Sequence, residues 1–314
     1  MIESTDTIRI LAPIQITAAM ITSSTISPED TAPVWASGTT YADGARVYMA
    51  STHRVYESLQ GSNLGKDPSL PANQVDSTGA GTWWLDVGPT NLFAMFDGLV
   101  STQSVKAGTL TVVLHPGAFN GYALFGLDGD TISITQKDAP GGAVVYSYSG
   151  DLEGSAPPDY YEYFFDPFKP QTRLIGTDLP AYNDSEITIT VTKVTGDAKI
   201  GLVALGDMRP LGAPLRGASV EPVDYSYIST DQFGVTTVKK RYNATGLVIS
   251  GQSSIEDASA VLDTVKNLLG IPCVVIGSEA PNFDGLTVFG LVSGRMSYPQ
   301  ADEVTLNLTV KGLV

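Results

Sequence analysis

The chain has 314 residues, 43% hydrophobic and only 16% charged, with 33 acids against 18 lysines and arginines and a net charge of −15. That charge repels a phosphate backbone and argues against nucleic-acid binding, and no apolar run reaches the roughly 18 residues of a membrane span. With Cys273 as the only cysteine and His53 and His115 as the only histidines, no intrachain disulfide and no histidine-rich metal site is expected, and no cofactor.

A length of 314 residues implies two or three units at about 100–200 residues each. Abundant glycine, proline, serine and threonine point to short strands and many turns, so the expected class is mainly β and multidomain. The opening "MIESTDTIRILAPIQITAAMITSS" lacks the basic flank and unbroken apolar stretch of a signal peptide. Within residues 1–30, "TIRILAPIQIT" reads as a strand and "SSTISPEDTAP" as a linker. A lone strand cannot bury both faces, so it must join a sheet elsewhere in the chain or on a neighbouring subunit. Ile8 and Ile10 are its candidate interface residues.

Residues 31–90 hold all three tryptophans. Trp35 is followed by Tyr41 and Gly44 in "TTYADGARVYM", Val55 and Tyr56 in "HRVYES", Pro68, and Trp83 and Trp84 in "WWLDVG". So small a unit, without disulfide or metal, must use some of these rings as core.

From 91 to 212, short alternating runs such as "TLTVVLHPG", "TISITQ", "AVVYSYSG" and "EITITVTKV" are separated by turn signals, which predicts a jelly-roll-type β-sandwich. Asp128 and Asp130 in "GLDGDTISI" have a D-x-D spacing that could offer oxygen ligands to calcium. The remaining ligands of an EF-hand loop are missing, and a hairpin turn is the better reading. In "PPDYYEYFFDPF", alternation places Tyr161, Tyr163 and Phe165 on one strand face and Tyr160, Glu162 and Phe164 on the other. Aromatics on both faces imply a strand between two layers or one covered by a neighbouring subunit, with a saccharide platform as the sharper alternative.

The proline and glycine in "RPLGAPLRGA" mark the last boundary, and residues 213–314 read as an α+β assembly unit. "TTVKKRYNATGLVISG" reads as a strand pair. A helix over 254–269 follows, capped by Ser253 with Glu256, with Ile255, Ala258, Val261, Leu262, Val265, Leu268 and Leu269 on one apolar face and Gly270 and Pro272 ending it. It is expected to pack on antiparallel strands "CVVIG", "LTVFGLVSGRMSY" and "EVTLNLTVKGLV". The last of these, carrying Leu306 and Leu308, would leave an open edge for a partner. No catalytic constellation is present: there is no GxSxG elbow, and His115 lies in "VLHPGAF" at a strand end, so the chain is not expected to be an enzyme.

Two resemblances follow from these motifs. Trp35, "TYADGARV", "RVYES" and "TWWLDVG" are similar to the chitin-binding-like modules of carbohydrate-binding families five and twelve. That resemblance implies a compact three-stranded β-module able to stack sugars on Trp35, Tyr41, Tyr56, Trp83 and Trp84. The sequence departs from the pattern where Glu57, Ser58, Leu59 and Gln60 stand in place of an aromatic pair. The whole chain, through "NLFAMFDG", "GASVEPVDYSY...TDQFG", the basic strand after it and "EVTLNLTVKGL", resembles tail or baseplate structural proteins of tailed bacteriophages. The resemblance implies a virion structural component, made in the bacterial host cytoplasm, that links tail to fibres through repeated subunit contacts. Its partners would be other tail or baseplate proteins and further copies of itself. The alternative is a saccharide-binding receptor-recognition protein of the tail, with a cell-surface glycan as partner.

Overall fold

The structure, a computed structural model, describes residues 6–75, 83–152, 170–280 and 283–313. The described residues are mainly β, with several antiparallel sheets and one α-helix. The strands are, in chain order, β1 (Ile8–Pro13), β2 (Ile21–Ser24), β3 (Thr40–Tyr41), β4 (Arg46–Met49), β5 (Arg54–Ser58), β6 (Asn63–Leu64), β7 (Trp84–Pro89), β8 (Ser104–Leu114), β9 (Gly121–Phe125), β10 (Thr131–Lys137) and β11 (Val144–Asp151). There follow β12 (Arg173–Gly176), β13 (Glu186–Ile200), β14 (Leu202–Pro214), β15 (Ser219–Asp224), β16 (Tyr227–Thr230), β17 (Thr236–Lys239), β18 (Asn243–Ser254), helix α1 (Ala258–Asn267), β19 (Pro272–Ile276), β20 (Thr287–Ser297) and β21 (Glu303–Gly312).

The expected sandwich is present. Sheet β11-β10-β13-β8-β2 alternates polar and apolar residues, and its inward Leu110, Val112, Ile132, Ile134, Ile187 and Ile189 meet Tyr122, Leu124, Leu174, Val203 and Leu205 from β9, β12 and β14. That second layer is not a separate sheet. It is one end of a nine-stranded sheet ordered β12-β9-β14-β1-β19-β20-β21-β18-β15.

A further pairing, β14 with β18 through Ala213↔Gln252 and Pro214↔Gly251, closes six of these strands into a barrel, β14-β1-β19-β20-β21-β18. An even number of strands allows every neighbour to be antiparallel, and closure removes the open edges. All six contribute to one interior, among them Ile8 and Ile10, Leu211, Leu247 and Ile249, Val275, Val292, and Leu306 and Leu308; Val261, Val265 and Leu268 of the α1 region complete it. A twisted sheet this small must turn corners. Gly290 and Gly312 face each other at one, where a Cβ on either would run into the backbone of Lys311 or Thr245.

Three expectations are corrected here. The N-terminal strand pairs inside its own chain, with β14 on one side and β19 on the other. Ile8, Ile10 and Leu308 are 0% exposed and Leu306 is 1% exposed, so these four proposed interface residues line the barrel and cannot meet another subunit. The 212/213 boundary is crossed by β14. Next to Pro210, which pairs with Arg9, a register shift between Ile8 and Arg9 leaves Leu211 as the extra residue of β14, and Leu211 packs in the barrel interior. The helix is shorter than predicted: Ile255 and Leu269 are exposed, and it begins at Ala258 without a side-chain cap, the expected cap at Ser253 being replaced by a turn in which Ser254 Oγ accepts from Asp257 N at 3.3 Å.

Within residues 31–90, sheet β4-β5-β7 and the two-stranded sheet β3-β6 pack around the buried Trp84. Tyr161, Tyr163 and Phe165 lie outside the described residues.

Candidate functional site

The five proposed sugar-stacking residues fall into two groups. Trp84, Tyr56 and Tyr41 fill the module's core with Val47, Trp84 being 0% exposed. The Tyr41 and Trp84 rings meet edge to face at 5.5 Å. Their polar tips are satisfied internally: Trp84 Nε1 donates to Lys66 O at 2.7 Å, and Tyr41 Oη accepts from Ala36 N at 2.8 Å. These rings are therefore structural, as the absence of any disulfide or metal requires. Trp35 and Trp83 remain half-buried at the margin of that core. Lys66 Nζ stands 4.8 Å from the Trp83 ring centroid, a cation–π contact that occupies a face a sugar would need.

Where the carbohydrate-binding pattern wants an aromatic pair, the chain makes a polar turn. Glu57 pairs with Arg46 at 2.8 Å. Ser58 is buried, donating from Oγ to Gln60 O at 3.0 Å and accepting from Asn63 Nδ2 at 2.9 Å.

The module is tied to the body at one polar joint that the sequence did not announce. His53 Nδ1 is 2.9 Å from Glu29 Oε1, Thr90 Oγ1 donates to that same oxygen at 2.7 Å, and the His53 ring stacks on Phe93 at 3.7 Å. Alongside, Asn91 N donates to Asp30 Oδ2 at 2.9 Å and Leu92 N to Glu29 O at 3.1 Å. The chain thus leaves the body and returns to it at almost the same point.

A cleft of about 760 Å³ opens between sandwich and barrel, lined by Val100, Gln103, Phe125, Arg173, Tyr242 and Phe289 among others. Phe125 and Phe289 belong to strands four apart in the sheet order, yet their centroids are 6.3 Å apart. The sheet's twist and curvature bring their side chains together here. Arg173 Nη1 reaches Thr287 O across the opening at 3.5 Å.

Among the described residues no cluster of three or more histidines, cysteines or acids could hold a metal ion, and no helix is long and apolar enough to cross a membrane. Asp128 is engaged by Lys193 at 2.5 Å and Lys199 at 3.2 Å, and Asp130 Oδ2 accepts from Val194 N at 2.6 Å. Both pin the bulged segment of β13 to the turn. Cys273 is fully buried, and burial pushes its thiol up to about 12, so it is no nucleophile at neutral pH.

The surface with the largest unmet demand is a β-ribbon, β16 and β17 with their flanks, residues 225–242. Ile228 pairs with Val238 and Thr230 with Thr236, which puts Ile228 and Val238 on one face. The turn is rigid: Asp231 Oδ1 accepts from Phe233 N at 2.8 Å and Val235 N at 2.9 Å, and Gly234 supplies φ of 81°. Yet residues 231–243 are exposed without interruption, Phe233 at 82%, Tyr242 at 66% and Ile228 at 64%. A two-stranded ribbon is marginally stable on its own, and this one displays apolar surface that no described residue covers. The expected pairing within "TTVKKRYNATGLVISG" is corrected: the basic strand β17 pairs with β16 before it, while β18 joins the barrel; the signal for this hairpin is the turn "TDQFG".

No protein-family model matches this chain, and no curated protein matches it.

Proposed function

We propose that the chain is a structural component of a tailed-phage virion, at the tail tip or baseplate, that links tail to fibres through repeated subunit contacts after synthesis in the host cytoplasm. The observation that supports this reading is the rigid, uncovered ribbon at residues 225–242. The six barrel strands are paired on both sides, whereas a projecting ribbon can reach a neighbour without loss of the fold. Catalysis has no part in the reading. Mass spectrometry and electron microscopy of purified phage particles whose genome encodes this sequence provide the test. The chain is expected in several copies per tail, and its absence from intact particles would refute the proposal.

A saccharide-binding role is the second reading, and it rests on the half-buried rings of Trp35 and Trp83. With Trp84, Tyr56 and Tyr41 committed to the core, the rings left for a sugar are too few to contribute more than about 0.5–1.5 kcal/mol each beyond burial. The isolated full-length chain is expected to pass through insoluble chitin unretained. Tight retention abolished by Trp83→Ala would instead favour receptor recognition.

A further inference from the structure

The ribbon is charged as well as apolar. Lys239, Lys240 and Arg241 stand together on its returning strand and beyond it, and none forms an ion pair among the described residues. Within residues 219–246 these three bases are balanced by Glu221, Asp224 and Asp231, so the whole net charge of −15 resides outside that segment. The ribbon itself, residues 225–242, holds these three bases and a single acid, Asp231, and is thus basic and apolar against an acidic body.

The acidic body has an apolar counterpart at one place. At the helix end of the barrel, Ile255 N donates to Asp302 O at 3.0 Å, which gathers Glu256, Asp257, Asp302 and Glu303 around the exposed side chain of Ile255. Asp257 is committed to Ser254 and Glu303 to Gln252, which leaves the exposed Glu256 and Asp302 side chains facing solvent. Strand β18 links the two surfaces. It leaves the base of the ribbon at Asn243 and ends at Ser254 beside this acidic patch, so the two lie at opposite ends of a strand up to about 35 Å long. Basic-apolar and acidic-apolar surfaces separated in this way complement each other between copies better than within one.

We infer that the ribbon of one copy docks on the helix end of the next, Ile228, Val238 and Phe233 covering Ile255 while Lys240 and Arg241, just beyond the paired strand, face Glu256 and Asp302. The occupant of the ribbon is thus a second copy of this chain. The contact is heterologous, head to tail, and so generates a ring or a filament instead of a closed two-fold dimer. The inference rests on the repeated-subunit reading above and adds to it the surface and the partner.

Sedimentation of the full chain across a concentration series tests it. Wild type is expected to associate, and less so at high salt, because the docking charges lie at a solvent-exposed rim. One variant carries Lys240→Glu and Arg241→Glu, and the other Glu256→Lys and Asp302→Lys. Each is expected to stay monomeric at concentrations where wild type associates, with an unchanged melting temperature. Mixed together the two should associate again, since each reversed surface then meets its opposite on the other variant; misfolding could not produce that rescue. Variants that associate as wild type does overturn the inference and leave the repeated-copy reading standing, and so does a mixture that fails to reassociate. A wild-type chain that remains monomeric throughout overturns both.

Discussion

Asp128 shows how a single residue acquires a role that no local spacing encodes. Its carboxylate accepts from Lys193, 65 residues on, and also faces Lys199. The Lys193 hydrogen bond first, and Lys199 after it, hold its pKa below the ordinary carboxylate range. A group whose folded value is depressed stabilises the fold above its unfolded value, about pH 4, and that contribution fades as the pH falls through the folded value. Asp128→Asn is therefore expected to lower stability at pH 7, by at most about 1 kcal/mol because solvent screens so exposed a pair. Thermal melts from pH 7 to pH 2.5 check this: the gap between wild type and variant should close at the acid end, and a constant gap would contradict the ion-pair account. The D-x-D spacing was legible as a turn, but its lysine partners were not. In the module the reverse holds. The tryptophans and tyrosines marked Trp84, Tyr56 and Tyr41 as a cluster, while only the structure separates these core rings from the half-buried Trp35 and Trp83.

The elements divide in the same manner between what is local and what is not. Helix α1 was legible from its three- and four-residue apolar spacing, with Val261, Val265 and Leu268 buried as expected. Its ends slipped by a few residues, the expected cap at Ser253 giving way to a turn closed by Ser254. Val265 packs inside the barrel, close against Gly294, so Val265→Asp buries an unpaired charge. The cost is several kcal/mol, comparable to the stability of a domain. Circular dichroism melts should show the barrel unfolded or strongly destabilised, and an unchanged melt would be incompatible with this packing. Strand β1 was legible as a strand that must join a distant sheet, but not which one. Its barrel neighbours lie about 200 and 260 residues further along, and pairing over such distances leaves no trace in a local pattern. Deleting residues 1–13 should accordingly yield a protease-sensitive chain without a cooperative transition, and a soluble, folded truncate would contradict the closed barrel.

At the scale of the molecule, the module and the body are unequal partners. The connections on either side of the module are held together by the hydrogen bonds of Asp30 with Asn91 and of Glu29 with Leu92, the arrangement in which an inserted domain leaves its host undisturbed. Excising residues 31–89 and joining Asp30 to Thr90 is expected to leave the body melting within about 1–2 kcal/mol of its original stability, the loss coming from the His53 contacts with Glu29 and Phe93. Calorimetry of the excised chain is the check, and loss of the main transition would show that the module is integral to the core. The module's limits were legible because its tryptophans and flanking prolines punctuate the sequence. The joining of sandwich and barrel by one sheet was not, because β14 passes through the proline- and glycine-bearing segment that reads as a linker.

The closed barrel also sets a timetable for synthesis. Strand β1 emerges from the ribosome early, but β14 follows about 200 residues later and β19 about 260 residues later. At roughly 5–20 residues per second, Ile8, Ile10 and Leu11 wait on the order of 10–50 s without their neighbours. The module can fold in the interval, being contiguous, and so can much of the five-stranded sheet. The first strand cannot, and it stays an apolar, sticky tether until β21 is made. Slowed translation or a nonsense mutation late in the chain would therefore release a nascent product whose earliest segment is the one most dependent on chaperones.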